Sequence, residues 1–232
     1  MDLSRARLNA VMHRLPPPLR KPVVDAFHRL YYASGKSTWQ TTQWMGVDVW
    51  KLPLDLWVIQ EILFETKPDL LIETGIYRGG STLYFADLFE RIGHGRVIAI
   101  DIDLTNADKQ LFERPRIEVI EGGSTDPAIV AKLREAADGK RVTVDLDSDH
   151  SAGHVERELE LLGPLVSEGC YLIVEDTNIN GHPVKGWPFG DGPMEALERW
   201  HPHHPEFVRD EYRERLMVTF NPKGYLKRRP YQ

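Results

Sequence analysis

Hydrophobic periodicity changes character near residue 66. Before it, apolar side chains recur three and four residues apart in "LSRARLNAVMHRL" (3–15), "DAFHRLYYA" (25–33) and "DLWVIQEILFE" (55–65). That spacing gathers them on one face of a helix. The prolines at 16–18 are expected to stop the first helix, and residues 36–52 to form an irregular loop. Beyond it the pattern alternates. Short, nearly continuous Val/Ile/Leu runs at 69–75, 96–102, 116–122, 141–147 and 170–176 are separated by helical stretches at 81–92, 126–137 and 153–166. Strands apolar on both faces and interleaved with helices predict a parallel sheet covered on both sides. Right-handed crossovers then give a doubly wound α/β fold. At the end of the chain, "LMVTF" and "YLKRR" about "NPKG" predict two strands and a turn, so that an antiparallel strand ends the sheet.

Composition excludes several classes of function. A net charge of -6 is a poor match to nucleic acid, whose binding usually needs a basic face. One cysteine, Cys170, rules out an internal disulfide; it sits in an apolar run as a small buried side chain, and the expected setting is reducing and cytoplasmic. No apolar run reaches membrane-spanning length. The arginine-bearing segment 3–15 is expected to serve as a packing arm or oligomer contact, with weak peripheral contact to an anionic membrane as the sharper alternative.

The chemistry lies at the ends of the apolar runs. The first strand leads into "ETGIYRGGS", where Gly75, Gly79 and Gly80 let the backbone approach a ligand. The spacing is neither G-x-G-x-x-G nor a lysine-bearing phosphate loop. Glu73 at the strand mouth would repel a pyrophosphate and attract the sulfonium and ammonium of S-adenosylmethionine (SAM). Asp101, with Asp103 second, ends the next strand as an acceptor for ribose hydroxyls. Gly122, Gly123 and Ser124 could run along an adenine edge, although Ser124 or Asp126 reads equally well as a helix cap.

Two further runs end in clustered acids, Asp147 on one and Glu175 with Asp176 on the other. In the strand order 3-2-1-4-5 these runs are neighbours, about 4.8 Å apart. Crowded carboxylates demand a cation, and hard oxygen donors suit Mg²⁺. Such an ion would stabilise the alkoxide of a bound hydroxyl substrate. His150, three residues past Asp147, is the expected general base, histidine being the side chain that titrates near neutrality. Asn180 and His182 follow the last strand and are expected to touch substrate. Trp39, Trp44 and Trp50 could wall a pocket, Trp44 being the one assigned to the substrate. "HPHHP" (201–205) reads as a surface loop.

"LIETGIYRGGSTLYFADL", "LDSDHS", "VEDTNINGHPV" and "GDGPMEAL" together resemble the family of cephalosporin-hydroxylase-type proteins and rhamnosyl O-methyltransferases. The resemblance implies a Rossmann-like methyltransferase with a mostly parallel seven-stranded sheet. It implies SAM contacts from Glu73, Gly75, Ser81 and Asp101, beside which Tyr77, Ser124 and Asp147 are further candidate contacts, and Mg²⁺ ligands in Asp147, Glu175 and Asp176. It also implies a cap at 38–51 and a homo-oligomer. The corresponding division is an N-terminal helical extension and active-site cap (1–66) followed by the methyltransferase domain (67–232). The function that follows is Mg²⁺-dependent O-methylation of a sugar, glycoside or other natural product. An Fe(II) oxygenase using His150 and His154 with Asp147 or Glu175, a NAD-dependent dehydrogenase and a non-catalytic cofactor-binding protein are the alternatives.

Overall fold

The computed structural model describes residues 17–33, 38–185 and 190–230. The amphipathic segment 3–15 lies outside the described residues. Helix α1 (Pro17–Ala33) begins inside the proline run that was expected to end a helix. Proline suits the first turn because its missing N–H has no intrahelical partner there. A 3₁₀ turn (Thr38–Thr41) leads into a small antiparallel hairpin, β1 (Gln43–Trp44) and β2 (Val47–Asp48), and then α2 (Pro53–Thr66).

The main sheet comprises β3 (Leu70–Thr74), β4 (Arg96–Asp101), β5 (Ile117–Glu121), β6 (Val142–Leu146), β7 (Tyr171–Val174), β8 (Phe207–Arg209) and β9 (Tyr225–Arg228). Their order is β5-β4-β3-β6-β7-β9-β8, with β9 antiparallel to both of its neighbours. This is the expected doubly wound, Rossmann-like sheet with an antiparallel C-terminal strand. Helices α3 (Gly80–Ile92), α4 (Pro127–Ala137), α5 (Ala152–Leu162) and α6 (Pro193–Trp200) complete the described α-helices. Asp126 caps α4 as its sequence position predicts, accepting from Ala128 N at 2.8 Å. The helix expected over 153–166 ends at Leu162 and continues as a 3₁₀ turn containing Pro164, which cannot extend the α-helical hydrogen bonding.

Strand periodicity sorts the buried side chains into two cores. Ile72, Val144, Leu146 and Leu172 face α4, α5 and α6. Leu71, Tyr171 and Ile173 face α2, α3 and the hairpin. This alternation matters for the site. Glu73 and Asp145 share the second face with Leu71 and Ile173, and they stand opposite one another in the β3–β6 register.

The C-terminal strand pairing differs from the expectation. "LMVTF" forms no strand; β9 pairs with β7 and with β8 instead. The backbone near Phe220 is committed elsewhere, its N–H donating to Asp55 Oδ2 at 2.7 Å and its carbonyl accepting from Asn178 N at 3.0 Å. Among the described residues no helix is long and apolar enough to cross a membrane.

Candidate active site

A cleft of about 490 Å³ opens at the carboxyl edge of the parallel strands. The first strand–turn–helix unit forms one side. Gly75 has φ +85°, and a Cβ there would lie 2.0 Å from the Asp147 carbonyl oxygen. Glycine is therefore required both by the left-handed backbone and by the close approach of the next strand end. Gly80 is required by packing, since a Cβ would lie 2.4 Å from the Asp48 carbonyl of the hairpin. The hairpin thus docks directly on the start of α3.

Asp101 lines the cleft and fastens this turn, Oδ2 accepting from Ile76 N at 2.7 Å and Tyr77 N at 2.9 Å. Oδ1 accepts from Asp103 N at 3.1 Å. Tyr77, Ser81, Gly122, Gly123 and Ser124 also line the cleft. Glu73 lies behind the wall, fully buried, and accepts from Ser81 Oγ at 2.5 Å and Thr82 Oγ1 at 2.6 Å. Burial pushes its pKa up to about 8. The carboxyl expected to face a sulfonium is thus largely neutral near pH 7, and it anchors the first turn of α3.

Of the expected metal trio, Asp147 and Asp176 meet His150 at the cleft, while Glu175 and Asp147 share a buried lysine. Asp147, His150 and Asp176 each offer a ligand atom, and these atoms lie within 4.8 Å of one another at the cleft. His150 Nε2 is 3.3 Å from Asp176 Oδ2. Tyr32 of α1 reaches the same group, its hydroxyl donating to Asp176 Oδ1 at 3.2 Å. Glu175 turns inward, to a partner absent from the sequence reading. Lys51, only 2% exposed, places Nζ 2.7 Å from Asp147 Oδ2, 3.1 Å from Glu175 Oε1 and 3.3 Å from Asp145 Oδ2. The bond to Asp147 is well aligned. The other two contacts are ion pairs, whose oxygens accept no aligned hydrogen bond. Burial alone would lower the pKa of Lys51, yet Asp145, Asp147, Glu175 and Glu73 hold it well above its ordinary value. Burial raises the pKa of Asp145 and Glu175 against the attraction of Lys51. The cation demanded by the inner carboxylates is supplied by the chain itself.

The other expected substrate residues have different surroundings. Trp44 packs edge-on against Tyr84 and donates Nε1 to Asp87 Oδ2 at 2.8 Å, away from the cleft. Trp39 and Trp50 line the cleft instead, in contact with Tyr32 and Tyr77 respectively. His182 Nε2 lies 2.6 Å from Glu195 Oε1 on α6. Asn180 sits against Gly192, just before that helix. His154 lines the cleft but is held by Ser124, Ser148 and Glu158. It does not join His150 as a second imidazole ligand.

Sheet order, glycine turns and cleft position define a doubly wound methyltransferase fold. A model of the Rhamnosyl O-methyltransferase/CmcI family matches residues 36–229. The rhamnosyl O-methyltransferase of Mycobacterium tuberculosis (strain ATCC 25618 / H37Rv) is 42% identical over 212 residues, covering 89% of this chain and 85% of that protein. The Mycobacterium leprae (strain TN) protein of the same name is 41% identical over 213 residues, covering 89% and 91%. Among solved structures, CmcI with Mg and SAM shares the fold at 23% identity and a TM-score of 0.63, over 82% of this chain and 78% of that one. CalS11, a TDP-rhamnose 3'-O-methyltransferase, does so at 15% identity and 0.51, over 84% and 82%. The chain belongs to the rhamnosyl O-methyltransferase/CmcI family and is a SAM-dependent O-methyltransferase.

Proposed function

We propose that the enzyme methylates a hydroxyl of a rhamnosyl or related deoxyhexosyl unit, with Mg²⁺ held by Asp147 and Asp176 and with His150 as general base. The observation that carries this reading is the meeting of Asp147, His150 and Asp176 in the cleft that the glycine turns also line. Two carboxylates from neighbouring strand ends fit a hard cation, while imidazole is a poor ligand for magnesium. His150 is therefore assigned to the proton rather than to the metal. Mg²⁺ bound there would favour the ionised form of an acceptor hydroxyl. The 42% identity to rhamnosyl O-methyltransferases supports the sugar acceptor.

The residues have separable roles in this scheme. Gly75, Tyr77, Asp101 and the 122–124 turn hold the donor, while Glu73 keeps Ser81 and Thr82 in place beneath it. Bound there, SAM would supply the methyl group to the acceptor oxygen and leave as S-adenosylhomocysteine. The hydroxyl proton passes to His150, whose imidazolium is then stabilised by Asp176 at 3.3 Å. Trp39, Trp50 and Tyr32 exclude water and offer flat apolar surface to a pyranose ring.

The test incubates purified protein with SAM and an aryl α-L-rhamnoside and measures S-adenosylhomocysteine and the methylated glycoside by mass spectrometry. Turnover is expected with added Mg²⁺ and its loss with excess EDTA. Full turnover in EDTA would remove the metal from the scheme. Turnover of unrelated alcohols but of no rhamnoside would remove the sugar.

A further inference from the structure

Four side chains at the far side of the cleft from the clustered acids form a hydrogen-bonded group that the scheme above leaves without a task. Ser124 lies in the turn after β5, Ser148 just beyond β6, and His154 and Glu158 one turn apart on α5. His154 Nε2 is 3.1 Å from Ser148 Oγ, 3.2 Å from Ser124 Oγ and 3.4 Å from Glu158 Oε1. Ser148 Oγ donates to Glu158 Oε1 at 2.8 Å. Ser124, Ser148 and His154 line the cleft. Glu158 is fully buried behind them, and its Oε2 has no hydrogen bond among the described residues.

The direction of each hydrogen bond follows from what each group can give. An ionised carboxylate only accepts, and a hydroxyl has one proton. Ser148 spends its proton on Glu158, so toward His154 it can only accept. Nε2 therefore carries the imidazole proton. Glu158 favours the same state, its hydrogen bond holding the pKa of His154 above the ordinary value. Ser124, facing that N–H, accepts as well, and its own proton must point away from His154. No acceptor among the described residues takes that proton. Nor does Ser124 cap α4, a task performed by Asp126. We propose that Glu158 and His154 fix the Ser124 hydroxyl as a hydrogen-bond donor toward the cleft, so that the site selects a methyl donor whose base presents an unprotonated ring nitrogen there, as a purine does. The inference rests on the reading above that the 122–124 turn holds the donor. A freely rotating hydroxyl would give or accept a hydrogen bond with equal ease. One whose oxygen is engaged from behind offers only its proton, and a ligand without an acceptor at that point leaves the proton unpaired. His154 and Glu158 are thus positioning residues that act on the ligand through Ser124.

The experiment is isothermal titration of the full-length protein with S-adenosylhomocysteine and with its 1-deaza, 3-deaza and 7-deaza analogues, each of which replaces one ring nitrogen by C–H. Wild type is expected to bind one of the three at least about tenfold more weakly than the parent, and Ser124→Ala should remove most of that difference. His154→Phe, or His154→Ala where the larger ring does not fold, lets the hydroxyl rotate and should shrink the same difference. His154→Gln, whose amide N–H can replace Nε2–H, should keep it. Damage to the fold alone would weaken all four ligands by the same factor. Such a uniform loss in the His154 variants, with the difference intact, would overturn the part given to His154 and Glu158 while leaving Ser124 against the base. Equal wild-type affinity for all four ligands would overturn the whole inference without touching donor binding. Failure of wild type to bind S-adenosylhomocysteine would remove the donor reading and this inference with it.

Discussion

Single side chains divide here into those that face the cleft and those that hold the wall. His150 stands beside Asp176 in the cleft. His150→Ala is expected to lower kcat by roughly 10²–10⁴-fold, the usual range for a lost general base, while calorimetry shows unchanged SAM affinity. The tryptophans separate in the same way. Trp50→Ala should raise the KM for the acceptor, because Trp50 lines the cleft. Trp44→Phe should leave KM unchanged and cost about 1 kcal/mol in urea denaturation, the usual worth of a hydrogen bond such as that to Asp87. The sequence marked a tryptophan cluster near a pocket, but the choice of Trp44 for the substrate was wrong, since which ring faces the cleft depends on how the hairpin turns each one. Lys51 and Asp145 left a fainter trace. Asp145 is an acid inside a short strand rich in valine and leucine, and Lys51 is a lone lysine in an aromatic stretch. Each is costly to bury alone, and that cost is the signal that they pair.

At the scale of the element, the turn from β3 to α3 is the most demanding. Gly75→Ala places a methyl group against the Asp147 carbonyl and strains a backbone at φ +85°. A loss of at least about 2 kcal/mol in urea denaturation is expected, from strain and overpacking together. SAM binding should be lost with it. The parallel strands and their helices were legible because each is locally consistent: a buried run, a glycine or acid at its end, and a capped helix after it. The C-terminal hairpin was misread for an equally physical reason. "LMVTF" has the composition of a strand, but the hydrogen bonds of Phe220 are taken by Asp55 and Asn178, which lie far away in sequence. Helix α1 was read as an extension, yet Tyr32 reaches Asp176 and His28 contacts Asn178 at 3.2 Å. Its part in the site rests on contacts across 144 and 150 residues of chain, which no local pattern encodes.

For the molecule as a whole, buried acids govern the response to pH. The ordinary pKa of Glu73 is 4.5, and burial raises it to about 8 in the folded protein. Asp55 rises from 3.8 to about 6 for the same reason, despite hydrogen bonds to Thr219, Phe220 and Tyr225. The folded state therefore keeps protons that the unfolded chain releases. The stability these groups contribute is complete below their ordinary values and is lost as pH rises through the folded ones. Thermal melting should accordingly show a lower Tm at pH 8.5 than at pH 6, and Glu73→Gln should flatten that decline. A Tm that rises steadily over this range in wild type would contradict the burial of these carboxyls in protonated form.

The sequence by itself determined the doubly wound architecture, the methyltransferase family and the edge of the sheet where the chemistry gathers. The architecture and the edge follow from local periodicity and from the side chains that end each strand, and the family from the resemblance of its motifs; all are properties of neighbours along the chain. Only the tertiary structure decided how the acids are shared. Strand register put Glu73 beside Asp145, and the cap segment brought Lys51 to Asp147 and Glu175, leaving Asp147 and Asp176 at the cleft. Charge compensation depends on distance in space, and sequence spacing does not specify which buried cation a buried anion will meet.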